Sequence, residues 1–263
     1  MSMRVLITGG NGSLGRDLVR AVACEGRRVR VMSRRPRAQS ASSEVEWAQA
    51  DIATGEGLRA AVADVDVVIH AASDPRRTDA VDVEGTRRLV DAARDARVAH
   101  LVFISIVGID EIPFYYYKRK LAAERIIEAS GLPYSTLRAT QFHSLIEFSL
   151  SALARVPLVL PLPTDFKFQS VAQEEVAELL ARCLDEGPRG RLPDFGGPEV
   201  LTLGEMAATW MEAKGVRKRL VRLPLPGATA AAFRAGKNTT PETVRGVMSW
   251  REWVARHARP RAA

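Results

Sequence analysis

Cysteine is nearly absent. Cys24 and Cys183 are the two thiols of a 263-residue chain, which gives neither a disulfide framework nor a zinc-ligand spacing. A reducing, cytoplasmic setting is the expectation. Histidine is sparse too: His70, His100, His143 and His257 show no metal-ligand spacing, so no metal is expected. Long apolar runs are missing. The longest, such as Ala99 to Ile109, reach about half of the ~20 residues that cross a bilayer. Met1 to Thr8 lacks the apolar stretch and cleavage site of a signal peptide, so no membrane role is expected. There is no internal repeat and no low-complexity linker.

The remaining composition is that of an ordinary globule, 46% hydrophobic and 26% charged. The length suits one large α/β unit. Charge is uneven. Lys plus Arg number 38 against 31 Asp plus Glu, for a net +7, and 32 of the 38 are Arg. Residues 1–50 carry 9 basic and 4 acidic groups (+5), residues 201–263 carry 12 and 4 (+8), and 51–200 therefore sum to −6. A pI near 9.8 raises nucleic-acid binding. No helix-turn-helix and no basic-aromatic interleaving supports it, and no nucleic-acid partner is expected.

Over the first 140 residues short apolar runs alternate with helical patterns. The strands are Arg4 to Thr8, Val29 to Met32, Val45 to Ala48, Val65 to Ala71, Leu101 to Ile106 and Tyr134 to Arg138. Helices are expected over Ser13 to Gly26, Gly57 to Ala63, Thr78 to Ala96 and Tyr116 to Ser130. Continuous apolar strands separated by helices imply a parallel sheet covered on both faces, an α/β doubly wound Rossmann-type fold. Beyond residue 140 the pattern changes. Val156 to Pro163 holds three prolines, which excludes an interior strand or a helix. Glu174 to Leu184 and Leu203 to Lys214 read as helices. The expected organisation is a dinucleotide-binding domain over 1–140 and a small irregular substrate cap over 141–263, interleaved with the main sheet as a single structural unit.

Thr8-Gly9-Gly10-Asn11-Gly12-Ser13-Leu14-Gly15 links the first strand to the first helix. Glycines there permit a tight turn and close backbone approach, and the free N–H groups at the helix start receive a pyrophosphate. The pattern gains its weight from the strand before and the helix after. The second strand ends in Ser33-Arg34-Arg35, where NAD-preferring sites place an acidic residue. A hydroxyl and guanidinium groups suit a 2′-phosphate, so the expected cofactor is NADP(H). Asp51 and Ile52 follow the third strand, and Ala71, Ala72 and Ser73 the fourth; these complete the expected cofactor-binding residues.

Tyr116 and Lys120 stand four apart on a helix and share a face. A nearby ammonium is expected to lower the phenol pKa, which makes Tyr116 a candidate general acid and lets Lys120 reach the nicotinamide ribose. The whole pattern resembles the short-chain dehydrogenase/reductase superfamily, in particular its atypical NmrA-like branch. The resemblance runs over nearly the whole chain through TGGNGSLG at 8–15, DI at 51–52, VIHAAS at 68–73, VDVEGTRRLVDAA at 81–93, HLVFISIVGID at 100–110, YYKRKLAAE at 116–124, GLPYSTLRATQF at 131–142 and GGPEVLTLGEMA at 196–207. It implies Tyr116 as proton donor, Lys120 on the ribose and Ser105 polarising the substrate carbonyl. The chain departs from relatives in having Ile106 and Val107 after Ser105, where relatives often carry further serines, and Asp82 where they often carry Asn.

Phe142 and His143 follow the sixth strand, at the carboxyl edge where open α/β sheets bind ligands. With Tyr115 they are the candidate substrate residues. Phe114, Phe166 and Phe168 add a candidate aromatic wall. Such a pocket suits a quinone or a cyclic or aromatic ketone. The expected function is an NADP(H)-dependent oxidoreductase acting on a small-molecule carbonyl, quinone or activated double bond, as a monomer or homodimer. The alternative that the resemblance leaves open is an NADP(H)-binding redox sensor without turnover.

Overall fold

The computed structural model describes residues 2–23, 26–36, 45–241 and 245–258. Cys24, inside the helix expected over Ser13 to Gly26, lies outside them. In chain order the elements are β1 (Arg4–Thr8), α1 (Ser13–Ala23), β2 (Arg28–Ser33), β3 (Glu46–Gln49), α2 (Leu58–Val62), β4 (Val67–His70), α3 (Glu84–Asp95), β5 (His100–Ile106), α4 (Tyr115–Glu128), β6 (Tyr134–Ala139), α5 (His143–Leu153), β7 (Val159–Leu162), β8 (Lys167–Phe168), α6 (Gln173–Glu186), β9 (Gly190–Arg191), β10 (Leu201–Thr202), α7 (Leu203–Lys214), β11 (Arg219–Arg222), α8 (Ala228–Ala235) and α9 (Trp250–His257). Two compact units divide the chain: 1–105, 115–138 and 174–192 form the first, and 106–114, 139–173 and 193–263 the second.

The first unit holds a seven-stranded sheet in the order β3-β2-β1-β4-β5-β6-β9. β1 pairs in parallel with β2 on one side and β4 on the other. This is the doubly wound Rossmann-type sheet that the alternation implied. The order reverses between β1 and β4, and ligands of open α/β sheets bind at the carboxyl edge of such a reversal. β1 and β4 are buried on both faces, as their unbroken apolar runs require. α1 turns Leu14, Leu18 and Val22 inward at helical spacing. Leu6, Val68, Leu101 and Phe103 of the sheet form one core with Leu89 and Ala93 of α3 and Ala123 and Ile127 of α4, each large side chain contributing about 1.5–3 kcal/mol.

The helix expected over Thr78 to Ala96 begins differently: Asp79–Val83 is a π-helical turn, and α3 proper starts at Glu84. The inward face of α4 is Tyr117, Lys120, Ala123, Glu124 and Ile127. Two of those five positions are charged, which blurs the apolar periodicity there.

The second unit is more regular than the sequence suggested. Its core gathers Trp210 of α7 and Trp250 and Trp253 of α9 around Ile146, Leu150, Leu160 and Met206. Capping boxes start both helices, Thr202 with Glu205 and Ser249 with Glu252. Pro161 does lie in a strand, β7, but among the described residues that strand pairs only with β11, so it is not interior. Arg219 N–H donates to Leu158 O (3.1 Å) and Leu223 N–H to Leu162 O (2.9 Å). The pairing therefore takes the carbonyls of Leu158, just ahead of β7, and Leu162, one on either side of the proline. The C-terminal charge excess also finds local partners here. Lys214 pairs with Glu147 (2.6 Å), Arg222 and Arg234 share Asp165 (2.8 Å each), and Lys237 meets Glu111 (2.5 Å).

Two buried imidazoles of the first unit set an acid limit. His70 lies between the hydroxyls of Thr8 (2.8 Å) and Thr86 (3.0 Å). Burial, helped by the Lys120 charge, pushes its pKa down to about 3, and burial holds His100 at about 4. An unfolded chain protonates both near pH 6.5, so between that value and the folded pKa values it binds more protons than the fold. Stability is then fully present above pH 6.5 and declines as pH falls towards 4. Urea unfolding midpoints measured from pH 7 to pH 4 are expected to show that slope, with a shallower one in His100→Gln.

Candidate functional site

The first unit carries a cleft of about 360 Å³ at the carboxyl ends of β1, β2 and β4. Its wall includes Gly9, Asn11 and Gly12 of the glycine loop, Ser33, Arg34 and Arg35 after β2, Asp51 and Ile52 after β3, and Ala71, Ala72 and Ser73 after β4. These expected cofactor residues are thus brought together around one space. Met32, Ala50, Asp74 and Val81 also line it and were not expected from the sequence. Each sits beside an expected position or, for Val81, on the π-helical turn, so strand ends taken one residue further would have found most of them.

Thr8, Gly10, Leu14 and Gly15 shape the cleft from behind. Thr8 is fully buried, and its Oγ1 accepts from the N–H groups of Ala71 (3.2 Å) and Ala72 (3.1 Å), which ties the end of β1 to the end of β4. Gly9 has φ +69°, and a Cβ there would meet Ala71 O and the Ala72 backbone at 2.9 Å. At Gly15 a Cβ would come within 2.1 Å of Gly9 O and 2.6 Å of Gly10 Cα. The helix start can approach the loop only without side chains there. Leu14 turns its side chain into the core, and Ser13 is exposed at the first turn of α1.

The β2 end is set by polar contacts. Asn11 Nδ2 donates to Ser33 Oγ (2.9 Å), which also accepts from Arg35 N–H (3.1 Å). Trp47 Nε1 donates to Arg35 O (3.1 Å). With two donors already directed at Ser33 Oγ, its own proton is left to give to an anion. Arg34 is exposed at the cleft wall. Glycine backbone, a helix N-terminus, a hydroxyl proton and guanidinium groups fit a dinucleotide with a 2′-phosphate.

Beyond Ser73 the cleft meets the candidate chemistry. Ser73 Oγ lies 2.8 Å from Tyr116 OH and donates to Asp82 Oδ1 (2.6 Å). Asp82 is buried and also accepts from Asp74 N–H (3.3 Å). Lys120 is buried, donates to Ile104 O (3.0 Å), lies over the Phe103 ring (4.1 Å) and stands 3.9 Å from Asp82 Oδ1. The expectation of a lowered phenol pKa is overturned. Burial and the Asp82 charge push Tyr116 up to about 12, against the Ser73 hydrogen bond that favours the phenolate. The ammonium faces Asp82 and Ile104 O, and burial brings Lys120 itself down to about 8. Tyr116 is therefore an acid at neutral pH.

Ser105 sits at the end of β5, and its buried Oγ has no hydrogen-bond partner among the described residues. The serine bonded to Tyr116 is Ser73. Tyr115 is exposed, donates to Asp79 and lies under the Arg119 guanidinium (4.8 Å). In the second unit Phe142 is half-buried as the N-cap of α5. His143 departs from the expected substrate-lining position. It is 1% exposed, its ring nitrogens contact Ser170 Oγ (2.8 Å) and Met248 O (3.1 Å), and it packs against Trp250 and Trp253. Phe166 and Phe168 pack on Phe233, and Phe114 is exposed. Among the described residues no His, Cys, Asp and Glu cluster could hold a metal, and no helix is long and apolar enough to cross a membrane.

Comparison with known proteins agrees with this geometry. The model of a family described as NAD(P)H-binding matches residues 9–187. The chain is similar to a ceramide reductase of Caulobacter vibrioides, 30% identical over 247 residues, which cover 86% of this chain and 75% of that protein. It is also similar to a photosystem II assembly factor of Cyanophora paradoxa, 30% identical over 149 residues, 53% of this chain and less than half (46%) of the factor's own length. Among solved structures, the NADPH-dependent quinone oxidoreductase of Escherichia coli complexed with NADPH superimposes with a TM-score of 0.81 at 19% identity, over 96% of this chain and 99% of that one, a likeness of fold.

The glycine loop separates folding from ligand access. Gly15→Ala, which drives a Cβ into backbone, is expected to cost about 3 kcal/mol in thermal or urea unfolding. At Gly12 the nearest atom to a new Cβ is Gly9 O at 3.1 Å. Gly12→Ala is expected to lose no more than about 1 kcal/mol while weakening NADPH binding in a fluorescence titration.

Proposed function

The chain belongs to a family described as NAD(P)H-binding, and from that premise we propose that it is an oxidoreductase of the short-chain dehydrogenase/reductase superfamily that reduces a carbonyl, quinone or activated double bond of a small apolar substrate with NADPH, Tyr116 serving as proton donor. The observation that carries this reading is the bond between Tyr116 OH and Ser73 Oγ, 2.8 Å. Ser73 itself lines the cleft, so the phenol stands one hydrogen bond from the cofactor's space.

Bound in the cleft, NADPH supplies the hydride. The chain's residues do the rest. The first-turn N–H groups of α1 hold the pyrophosphate, and Ser33, Arg34 and Arg35 hold the 2′-phosphate. Tyr116, kept protonated by burial and by Asp82, gives its proton to the oxygen or carbon that gains negative character. Lys120 anchors the ribose from the same helix face. That a ceramide reductase and a quinone oxidoreductase are among the similar proteins supports an apolar substrate.

A second reading, a cofactor-binding regulator without turnover, draws on the likeness to a photosystem assembly factor. One panel separates the two. NADPH oxidation followed over quinones, cyclic and aromatic ketones is expected for the wild type. It should fall about 10²–10⁴-fold in Tyr116→Phe with NADPH affinity unchanged. Tight NADPH binding with no turnover across the panel would favour the regulator. Arg34→Ala is expected to weaken NADPH by about 2 kcal/mol, roughly 30-fold, and NADH little; equal losses would remove the 2′-phosphate assignment.

A further inference from the structure

The second unit turns an apolar stripe to solvent. Along α5 the buried residues are His143, Ile146 and Leu150. Leu145, Phe148 and Ala152 stand on another face, three and four apart, and all are exposed. Beyond α5 the chain keeps turning the same way: Arg155 N–H donates to Ala152 O (3.3 Å) and Val156 N–H to Leu153 O (3.1 Å). Val156 follows Ala152 by four and extends the stripe. Leu158, two residues on, is 84% exposed, and Phe148 71%. Apolar side chains exposed singly need no explanation, but a contiguous set marks an interaction site. Leu158 also has φ +62°, a left-handed backbone that glycine or asparagine adopts far more readily than leucine. Neither packing nor backbone geometry favours a leucine there.

Cations border the stripe. Arg155 precedes Val156, Lys218 Nζ donates to Val156 O, and Arg219 N–H donates to Leu158 O (3.1 Å). Arg217 adjoins them in sequence. Arg155, Arg217 and Arg219 are exposed and Lys218 is half-buried. Among the described residues none of these four makes an ion pair, whereas Lys214, Arg222 and Arg234 of the same unit do. Glu147 is the one carboxylate of residues 143–158, and Lys214 covers it at 2.6 Å. We propose that this face of the second unit docks on an anionic lipid bilayer, with Phe148, Val156 and Leu158 entering the headgroup layer and the four cations meeting lipid phosphates. Protruding apolar side chains ringed by Arg and Lys have the make-up of an interfacial membrane contact. A second copy fits less well. Across a two-fold axis the patch meets itself, and the unpaired cations of both copies would be crowded together. Among the described residues no helix is long and apolar enough to cross a membrane; the contact is with one surface. The sequence-based expectation of no membrane role rested on missing spans and did not test a surface. The proposal stands on the patch and not on the reading of the reaction.

Flotation of the full chain with vesicles tests it, and no turnover is needed. Vesicles of phosphatidylcholine mixed with an equal part of phosphatidylglycerol are expected to carry the protein, and vesicles of phosphatidylcholine alone to carry far less. Raising the salt should release it. Phe148→Ser combined with Leu158→Asn is expected to lower partitioning about tenfold or more. Asparagine accepts the left-handed backbone, so thermal unfolding should be unchanged or improved. Arg155→Gln combined with Arg217→Gln is expected to lower partitioning onto the mixed vesicles about fivefold for each charge removed. NADPH affinity should be unaltered in both double variants, which shows that the first unit is intact. Equal binding to both kinds of vesicle, or full binding kept by either double variant, overturns the proposal. So does the absence of vesicle binding, whether the patch then proves to join two copies in sedimentation velocity or to hold an acidic protein.

Discussion

The contact between Gly15 and the backbone of Gly9 and Gly10 is the constraint on which the cleft depends. α1 can begin at Ser13 only if nothing fills the space where a Gly15 side chain would stand. With that approach made, the first N–H groups of α1 open onto the reversal between β1 and β4. Thr8 then fixes the opposite wall, because its hydroxyl takes the N–H groups of both Ala71 and Ala72. The loop that delivers Ser73 is thereby held to the same strand end as the glycine turn. Cofactor space and candidate acid are two products of one piece of backbone packing.

A second economy lies in α4. A helix facing a sheet normally turns an apolar stripe inward. This one buries Lys120 and Glu124 among Tyr117, Ala123 and Ile127. Buried charges are costly unless paired, and here each has an opposite neighbour, Asp82 for Lys120 and Arg138 for Glu124. The low surrounding polarity that makes the pairing necessary also sets the proton affinities of Tyr116 and Lys120.

Much of the first unit was legible because its signals are local. The β1 run, the glycine turn and the α1 periodicity of Leu14, Leu18 and Val22 each follow from neighbouring residues, and so do the strand ends that carry Arg34 and Ala71 to Ser73. What was not legible depended on distant partners. Nothing near Ser73 in sequence says that it meets Tyr116, 43 positions away. Spacing alone put an ammonium next to the phenol, yet burial, which the fold and not the local pattern sets, decides the sign of the effect, with Asp82 adding to it. His143 looked poised at a strand end, but Trp250 and Trp253, more than a hundred residues on, enclose it. For α9 a signal existed: Ser249-x-x-Glu252 beside tryptophans is a helix start, and the surrounding arginines masked it.

Pro161 has a consequence for the company this chain keeps. In a parallel pair, alternate residues turn their backbone groups to the partner. The bonds at Leu158 and Leu162 fix that alternation, so Pro161 turns away from β11, towards the side of β7 that pairs with no strand among the described residues. On that side it offers a carbonyl and no N–H. A strand from another chain arriving there would find the ladder interrupted at its middle. The residue that seemed only to forbid a strand also guards one against unwanted additions.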